Sequence, residues 1–232
     1  MLFHALLPTF VNTLAVLAGA GLGLWLHGRM SARFKTVLFQ AIGLATAIIG
    51  IQMAIPTREV PLLALSMILG GLLGEWLNIE ENLKRLGDRM QSLWGGEGSA
   101  FTEGFVYASL LFCVGAMTVV GTFQAGVQGN GDLIYTKSLM DGHVAIFLAG
   151  AMGAGVLASA GTVLVVQGLL TVLFLLCGAG FPAPVIAEIG AAGGLLIMGI
   201  AINLLEIGHV KVGNLLPSMA FIAIFVWLKL LF

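Results

Sequence analysis

The sequence predicts an all-α, polytopic membrane protein of about eight transmembrane helices. Three observations carry that expectation. Apolar residues make up 59% of the chain and charged residues only 9%, more apolar surface than a soluble domain of 232 residues can hide from water. Long runs with almost no charge recur from end to end. Residues near 9–77 are also echoed near 162–230, the mark of an internal repeat. A bilayer core about 30 Å thick needs roughly 20 apolar helical residues per crossing. Helices of that length use nearly all of 1–232, which reads as a single transmembrane domain.

The spans follow in order. The first is expected at 8–26, ending in the basic loop 27–33. The second, 34–55, is stopped by Pro56, and the third, 61–77, is opened by Pro61. The segment 78–102 is amphipathic, with Ile79, Leu83, Leu86, Met90 and Leu93 at helical spacing. It either lies on the inner membrane surface or extends helix 3 beyond the bilayer. The fourth span is expected at 104–126 and the fifth at 143–160, together an inserted hairpin over 103–160. The run 143–181 is too long for one crossing, so a sixth span, 162–180, follows the breakers Ser159, Ala160 and Gly161. Pro182 and Pro184 precede the seventh, 185–205, and the eighth is 213–232.

Basic residues set the orientation. Arg29, Arg33, Lys35, Lys84, Arg85, Arg89 and Lys211 fall on one side, and Arg58, Lys137 and Lys229 on the other, seven against three of the ten. The excess marks the cytoplasmic side, so both termini face outward from a bacterial inner membrane. Residues 1–26 lack the basic start and cleavage site of a signal peptide. Cys113 and Cys177 sit in apolar runs and read as inert thiols, not a disulfide. A net charge of -1 leaves no basic face for nucleic acid. His4, His27, His143 and His209 lack metal spacing, and no nucleophile has a base beside it. The expectation is a protein without cofactor or metal that is not an enzyme.

Three pairings make up the repeat. Helix 1 (Thr9 to Leu14) and helix 6 (Thr162 to Leu169) each carry a carboxamide, Asn12 and Gln167. Helix 2 (Gln40 to Gly43, Ile49 to Ile51) pairs with helix 7 (Glu188 to Gly190, Met198 to Ile200). Helix 3 (Leu62, Leu63, Ser66, Met67, Trp76) pairs with helix 8 (Leu215, Leu216, Ser218, Met219, Trp227). The two triplets, 8–77 and 162–232, cross in opposite directions, an inverted repeat with helices 4 and 5 inserted.

Several stretches resemble a known family. They include Glu103 to Val106, Ser109 to Met117, Lys137 to Gly142, Gln167-Gly168, Glu188-Ile189 with Gly193 to Leu195, Asn203 to Leu205, and Val212 to Pro217. With the Asn12 helix and the basic loop after it, they resemble the bacterial inner-membrane family catalogued as domain of unknown function 554. The resemblance covers nearly the whole chain and implies an integral membrane protein of this build, without a substrate. Ala116 departs from it where proline is expected, which puts a helix break there in doubt.

Polar groups in hydrocarbon need partners or a wet cavity. The candidate pathway residues are Asn12, Gln167, Asn203, Glu188, Ser109, Lys137 and Asp141. Each carboxamide either coordinates an ion or polar solute, or hydrogen-bonds between helices for about 0.6–2 kcal/mol. Lys137 and Asp141, spaced i,i+4, form either a surface ion pair at the outer start of helix 5 or an external gate. Glycines on helices 1, 4 and 5 either pack closely or break helices to expose carbonyls. Two functions stand. One is a transporter or channel for a small ion or polar solute. The other is a structural membrane protein whose glycine-rich faces join helices or a homo-oligomer. Asn12 and Gln167 are expected to share a polar cavity near the bilayer middle. The expected partners are the lipid bilayer, a small ion or solute, and a second copy of the chain.

Overall fold

Lipid cannot hydrogen-bond a backbone, so an apolar chain must satisfy its amides internally, and helices do this. A computed structural model describes residues 2–27, 31–94, 99–114, 116–177 and 182–231, helical throughout apart from short connections. Arg29 and Gly115 lie outside the described residues. The elements are α1 (Leu2–His27), α2 (Ala32–Ala54), α3 (Val60–Trp76), α4 (Ile79–Trp94), α5 (Ser99–Cys113) and α6 (Ala116–Phe123). A π-helical turn (Gln124–Gln128) extends α6. Then come α7 (Asp132–Met152), α8 (Gly155–Cys177), α9 (Ala183–Leu204), the short α10 (Val212–Leu215) and α11 (Ser218–Lys229).

Among the described residues, five stretches are long and apolar enough to cross a membrane: α1, α2, α8, α9 and the α10–α11 stretch. Two bent pairs bring the total to seven: α3 with α4, bent by 50°, and α5 with α6, bent by 52°. This falls short of the expected eight, and the missing span is the fifth. Its helix, α7, has 21 residues, enough to cross, but carries Asp132, Lys137 and Asp141.

The boundaries of α7 also correct the sequence reading. The helix begins at Asp132, not near 143, and it ends at Gly153, not at Ser159 to Gly161. Gly153 has φ +84°, a conformation that favours glycine, and so breaks the run there. Ser159 to Gly161 continue inside α8. Ser159 satisfies its hydroxyl on the Val156 carbonyl at 2.7 Å, and Gly161 faces open space. Near Ala116, by contrast, the chain does break without a proline, between α5 and α6. Asn78, with φ 51°, turns α4 off the axis of α3, so α4 is not a straight extension of that helix. Leu83 and Met90 on α4 pack against the core, whereas Leu86 faces outward at 47% exposure.

The helices form two bundles. In the first, α1 packs along α7 in parallel. Pro8 lies against Gly131, Gly19 against Gly142 and Gly23 against Ile146, and His27 Nδ1 lies 2.9 Å from the Gly150 carbonyl oxygen. A Cβ on Gly19 or Gly23 would collide with α7 backbone, so glycine is what lets these helices touch. α8 runs back against α1, and α5 with α6 runs along α8. In the second bundle α2 packs antiparallel on α9, where Gly50 and Gly194 each abut the other's carbonyl. α3 packs antiparallel on α10 and α11. Helix α9 is central, with 78% of its apolar window buried against 17% for α2.

Charges mark the two ends. At the basic end, Lys211 donates to Glu75 at 2.6 Å, and the Glu80 amide donates to Asn214 at 2.7 Å. At the other, terminal end, Lys229 donates to Glu59 at 2.5 Å. Large apolar side chains such as Phe3, Leu22, Phe34, Leu72 and Leu176 cover the outside, as a lipid-facing surface requires.

A buried ion pair as candidate functional site

Lys137 and Asp141 share one face of α7, one turn apart, and they pair. Their side chains are only 5% and 11% exposed. They are the sixth and tenth residues of the 21-residue helix. The expectation of a surface pair at the start of the helix is therefore corrected: once α7 begins at Asp132, the pair lies inside the bundle. Asn12 reaches it from α1 and donates from Nδ2 to Asp141 Oδ2 at 3.0 Å. Two donors thus converge on one carboxylate oxygen. A buried charge pair of this kind requires such added hydrogen bonds to offset desolvation.

The pair forms part of the wall of a cavity of about 390 Å³. Leu38, Ile42, Thr46 and Met53 of α2 face Met140, Val144 and Phe147 of α7 across it, with Leu111, Met117 and Ile197 from α5, α6 and α9. Its walls are otherwise nearly all apolar, and it lies on the seam between the two bundles. The break between α5 and α6 borders it, so helix ends as well as side chains come near the pair. A second cavity, of about 490 Å³, opens at the basic end between α4, α5 and α9. Glu80, Glu81, Asp88 and Glu103 line it with Lys84 and His209. Leu110 and Ile200 also line it; Leu110 is next in the chain to Leu111, and Ile200 lies one turn from Ile197, both of the central cavity.

The remaining candidates separate from this centre. Asn203 caps its own loop: Nδ2 donates to the Val210 carbonyl at 2.8 Å, and Oδ1 accepts from the Val210 amide at 2.7 Å. It also lines the cavity at the basic end. Glu188 is buried and clamps the α2–α3 turn, accepting from the Thr57 hydroxyl at 2.5 Å and the Arg58 amide at 2.7 Å. Ser109 donates to Thr162 at 3.0 Å and ties α5 to α8. Gln167 is fully buried on α8, and neither of its side-chain polar atoms has a partner. Of the seven candidates the structure joins three: Asn12, Lys137 and Asp141. Sequence reasoning missed Thr9 and Thr171, buried hydroxyls also without partners. Their spacing was the available signal, since Thr9 precedes Asn12 by one turn and Thr171 follows Gln167 by one.

A cavity between lipid-clad helices, bordered by one desolvated ion pair, belongs to a polytopic α-helical membrane protein. The chain belongs to the family described as "Protein of unknown function (DUF554)", which it matches over residues 7–227. It is 30% identical over 215 residues to the uncharacterized membrane protein YdfK of Bacillus subtilis, covering 91% of each chain. It is 26% identical over 215 residues to the uncharacterized protein YqgA of Escherichia coli, covering 90% of this chain and 92% of that one. No solved structure matches the chain.

Proposed function

We propose that this protein carries a small ion or polar solute across the membrane, past the Lys137–Asp141 pair. The observation that supports this most is the pair itself, held by Asn12 and open to a cavity between two bundles. An ion pair is costly in hydrocarbon and rarely placed there without use. A structural role alone calls for hydrogen bonds between helices, which neutral carboxamides supply at lower cost. No catalytic chemistry is part of this reading.

Under it α7 is the fifth of eight spans, since it runs beside α1 in parallel from Pro8 to His27. The antiparallel contacts of α1 with α8, α2 with α9 and α3 with α11 support an inverted repeat. Each triplet lends its first helix to one bundle and its next two to the other. The excess of Arg and Lys at the basic end favours a bacterial inner membrane with that end in the cytoplasm and both chain ends outside.

The test is flux in vesicles containing the full chain, by stopped-flow swelling and counterflow, across a panel of salts and neutral polar solutes. Wild type should admit one class of them. Asp141→Asn and Asn12→Leu should abolish that flux while remaining folded and inserted. Variants that keep full flux would remove the pair from the pathway, and a folded wild type that moves nothing would refute transport.

A further inference from the structure

The central cavity approaches Asp141 from one side, and a second polar feature approaches it from the other. Thr9 and Asn12 on α1 and Gln167 and Thr171 on α8 are all fully buried. Thr9 Oγ1, Asn12 Oδ1, Gln167 Nε2 and Oε1, and Thr171 Oγ1 have no hydrogen-bond partner. A sixth such atom, Ser218 Oγ, lies apart on α11. Buried polar atoms left this way are strongly unfavourable, and proteins satisfy them with ordered water.

The five atoms also fall in order of depth. α1 starts at the terminal end, where Pro8 meets Gly131. α8 runs the opposite way, and Thr171 lies beside Gly126 of the π turn at that same end. Thr9 and Thr171 therefore lie nearer the terminal face, with Asn12 and Gln167 a turn deeper. Asn12 then touches Asp141 at 3.0 Å. Hydroxyls and carboxamides both donate and accept. That mixture suits water; a dry metal cation would be opposed by the Gln167 amide hydrogens.

We infer that α1 and α8 enclose a file of bound water that carries protons between the terminal face and the Asp141 carboxylate. A proton passed from this water to Asp141 converts the carboxylate to a neutral acid and so removes the counter-charge of Lys137 beside the cavity. Around Asp141, α7 supplies Lys137, α1 supplies the neutral Asn12 and α5 supplies Cys113. α2 supplies Thr46 and apolar groups, and α6 and α8 contain no acidic or basic residue. His143 is exposed and bound to the Leu139 carbonyl. The proton therefore changes the balance of a single ion pair. That solute movement is thereby linked to protons rests on the transport reading; the water file does not.

The file is tested on the full chain in lipid bilayers, labelled with ¹⁵N-glutamine. Polarisation transfer from water in solid-state NMR should reach the Gln167 side-chain amide, assigned by its loss in Gln167→Leu. No transfer to Gln167 would overturn the water file whether or not the protein transports. The proton route is read by infrared spectroscopy of the Asp141 carboxyl, assigned with Asp141→Asn, after transfer into D₂O. Its deuterium exchange should slow at least about tenfold in Gln167→Leu, equivalent to about 1.4 kcal/mol of barrier. Thr171→Val, nearly isosteric, should slow it as well. An unchanged rate in both variants, or no protonated Asp141 at any pH the protein tolerates, would overturn the route.

Discussion

Removing one member of the Lys137–Asp141 pair should cost far more than removing both. Asp141 Oδ2 accepts from Lys137 Nζ and from Asn12 Nδ2, and both Lys137 and Asp141 are buried. In Asp141→Leu the two donors face each other across apolar walls, with one of them charged. Loss of one partner of a buried pair costs about 3–5 kcal/mol, and this variant should sit at the upper end. In Lys137→Met the carboxylate keeps the Asn12 hydrogen bond, which places that variant nearer the lower end. The double variant leaves no charge, and apolar replacements of similar volume are often neutral or stabilising. Its stability should fall only about 1–3 kcal/mol below wild type, the cost of leaving the buried Asn12 amide without its acceptor, which still gives a coupling energy of several kcal/mol in the double-mutant cycle. Unfolding in mixed micelles, followed by the fluorescence of the four tryptophans, measures all four proteins. Additive single effects, or single variants costing less than about 1 kcal/mol, would match an exposed pair and refute its burial.

Other outcomes follow from particular contacts. Gly19→Leu should prevent α1 from seating on α7, at a cost of about 3 kcal/mol or more. A Cβ at the exposed Gly21 meets nothing within 4 Å, so Gly21→Leu should leave unfolding and folded yield nearly unchanged. Asn203→Ala leaves the Val210 amide without its partner, while the Val210 carbonyl keeps the Val212 amide, and should lower stability by about 1–3 kcal/mol, read from the unfolding midpoint. Cysteines at Arg33 and Arg58, at opposite ends of α2, should be labelled by an impermeant reagent from opposite sides of the membrane; labelling from one side would overturn α2 as a span. The Glu75 carboxylate holds Lys211 above the usual lysine range by accepting its hydrogen bond. A raised lysine stabilises the fold below that range and loses its contribution as pH climbs through the raised value. Lys211→Met should therefore be less stable than wild type at neutral pH; the difference should vanish under strongly alkaline conditions, and also in acid, because the same hydrogen bond holds Glu75 below the usual carboxylate range and is lost when that group is protonated.

The apolar spans were legible because lipid imposes one requirement, an uninterrupted helix, and because Pro56 follows the end of α2 while Pro61, Pro182 and Pro184 mark the starts of α3 and α9. The start of α7 was hidden by the same logic. Lys137 and Asp141 resemble a wet boundary until the structure shows Asn12 satisfying Asp141 from 129 residues away. Its end was hidden because Gly153 and Gly161 look alike in sequence, and only backbone conformation separates them. The site was half legible: polar residues in apolar runs pointed to Asn12 and Gln167. Which of the others merely hold loops, as Asn203 and Glu188 do, depends on partners that local spacing does not reveal.

The long reach of these contacts has a consequence for biosynthesis. α1, α2 and α3 find their main partners in α7, α9 and α11, not in one another. Asn12 is made 129 residues before Asp141, a wait of roughly 6–26 s at about 5–20 residues per second. During that interval the early helices must rest in lipid unaccompanied. Their composition suits the wait: the apolar windows of α1 and α2 have mean hydropathy 1.7 and 1.8. The charged helix emerges after α1 to α3, when the groove on α1 that neutralises it is already in place. Ribosome-stalled chains ending before Asp132 should accordingly insert α1 to α3 stably, whereas α7 expressed without α1 should fail to enter the bilayer.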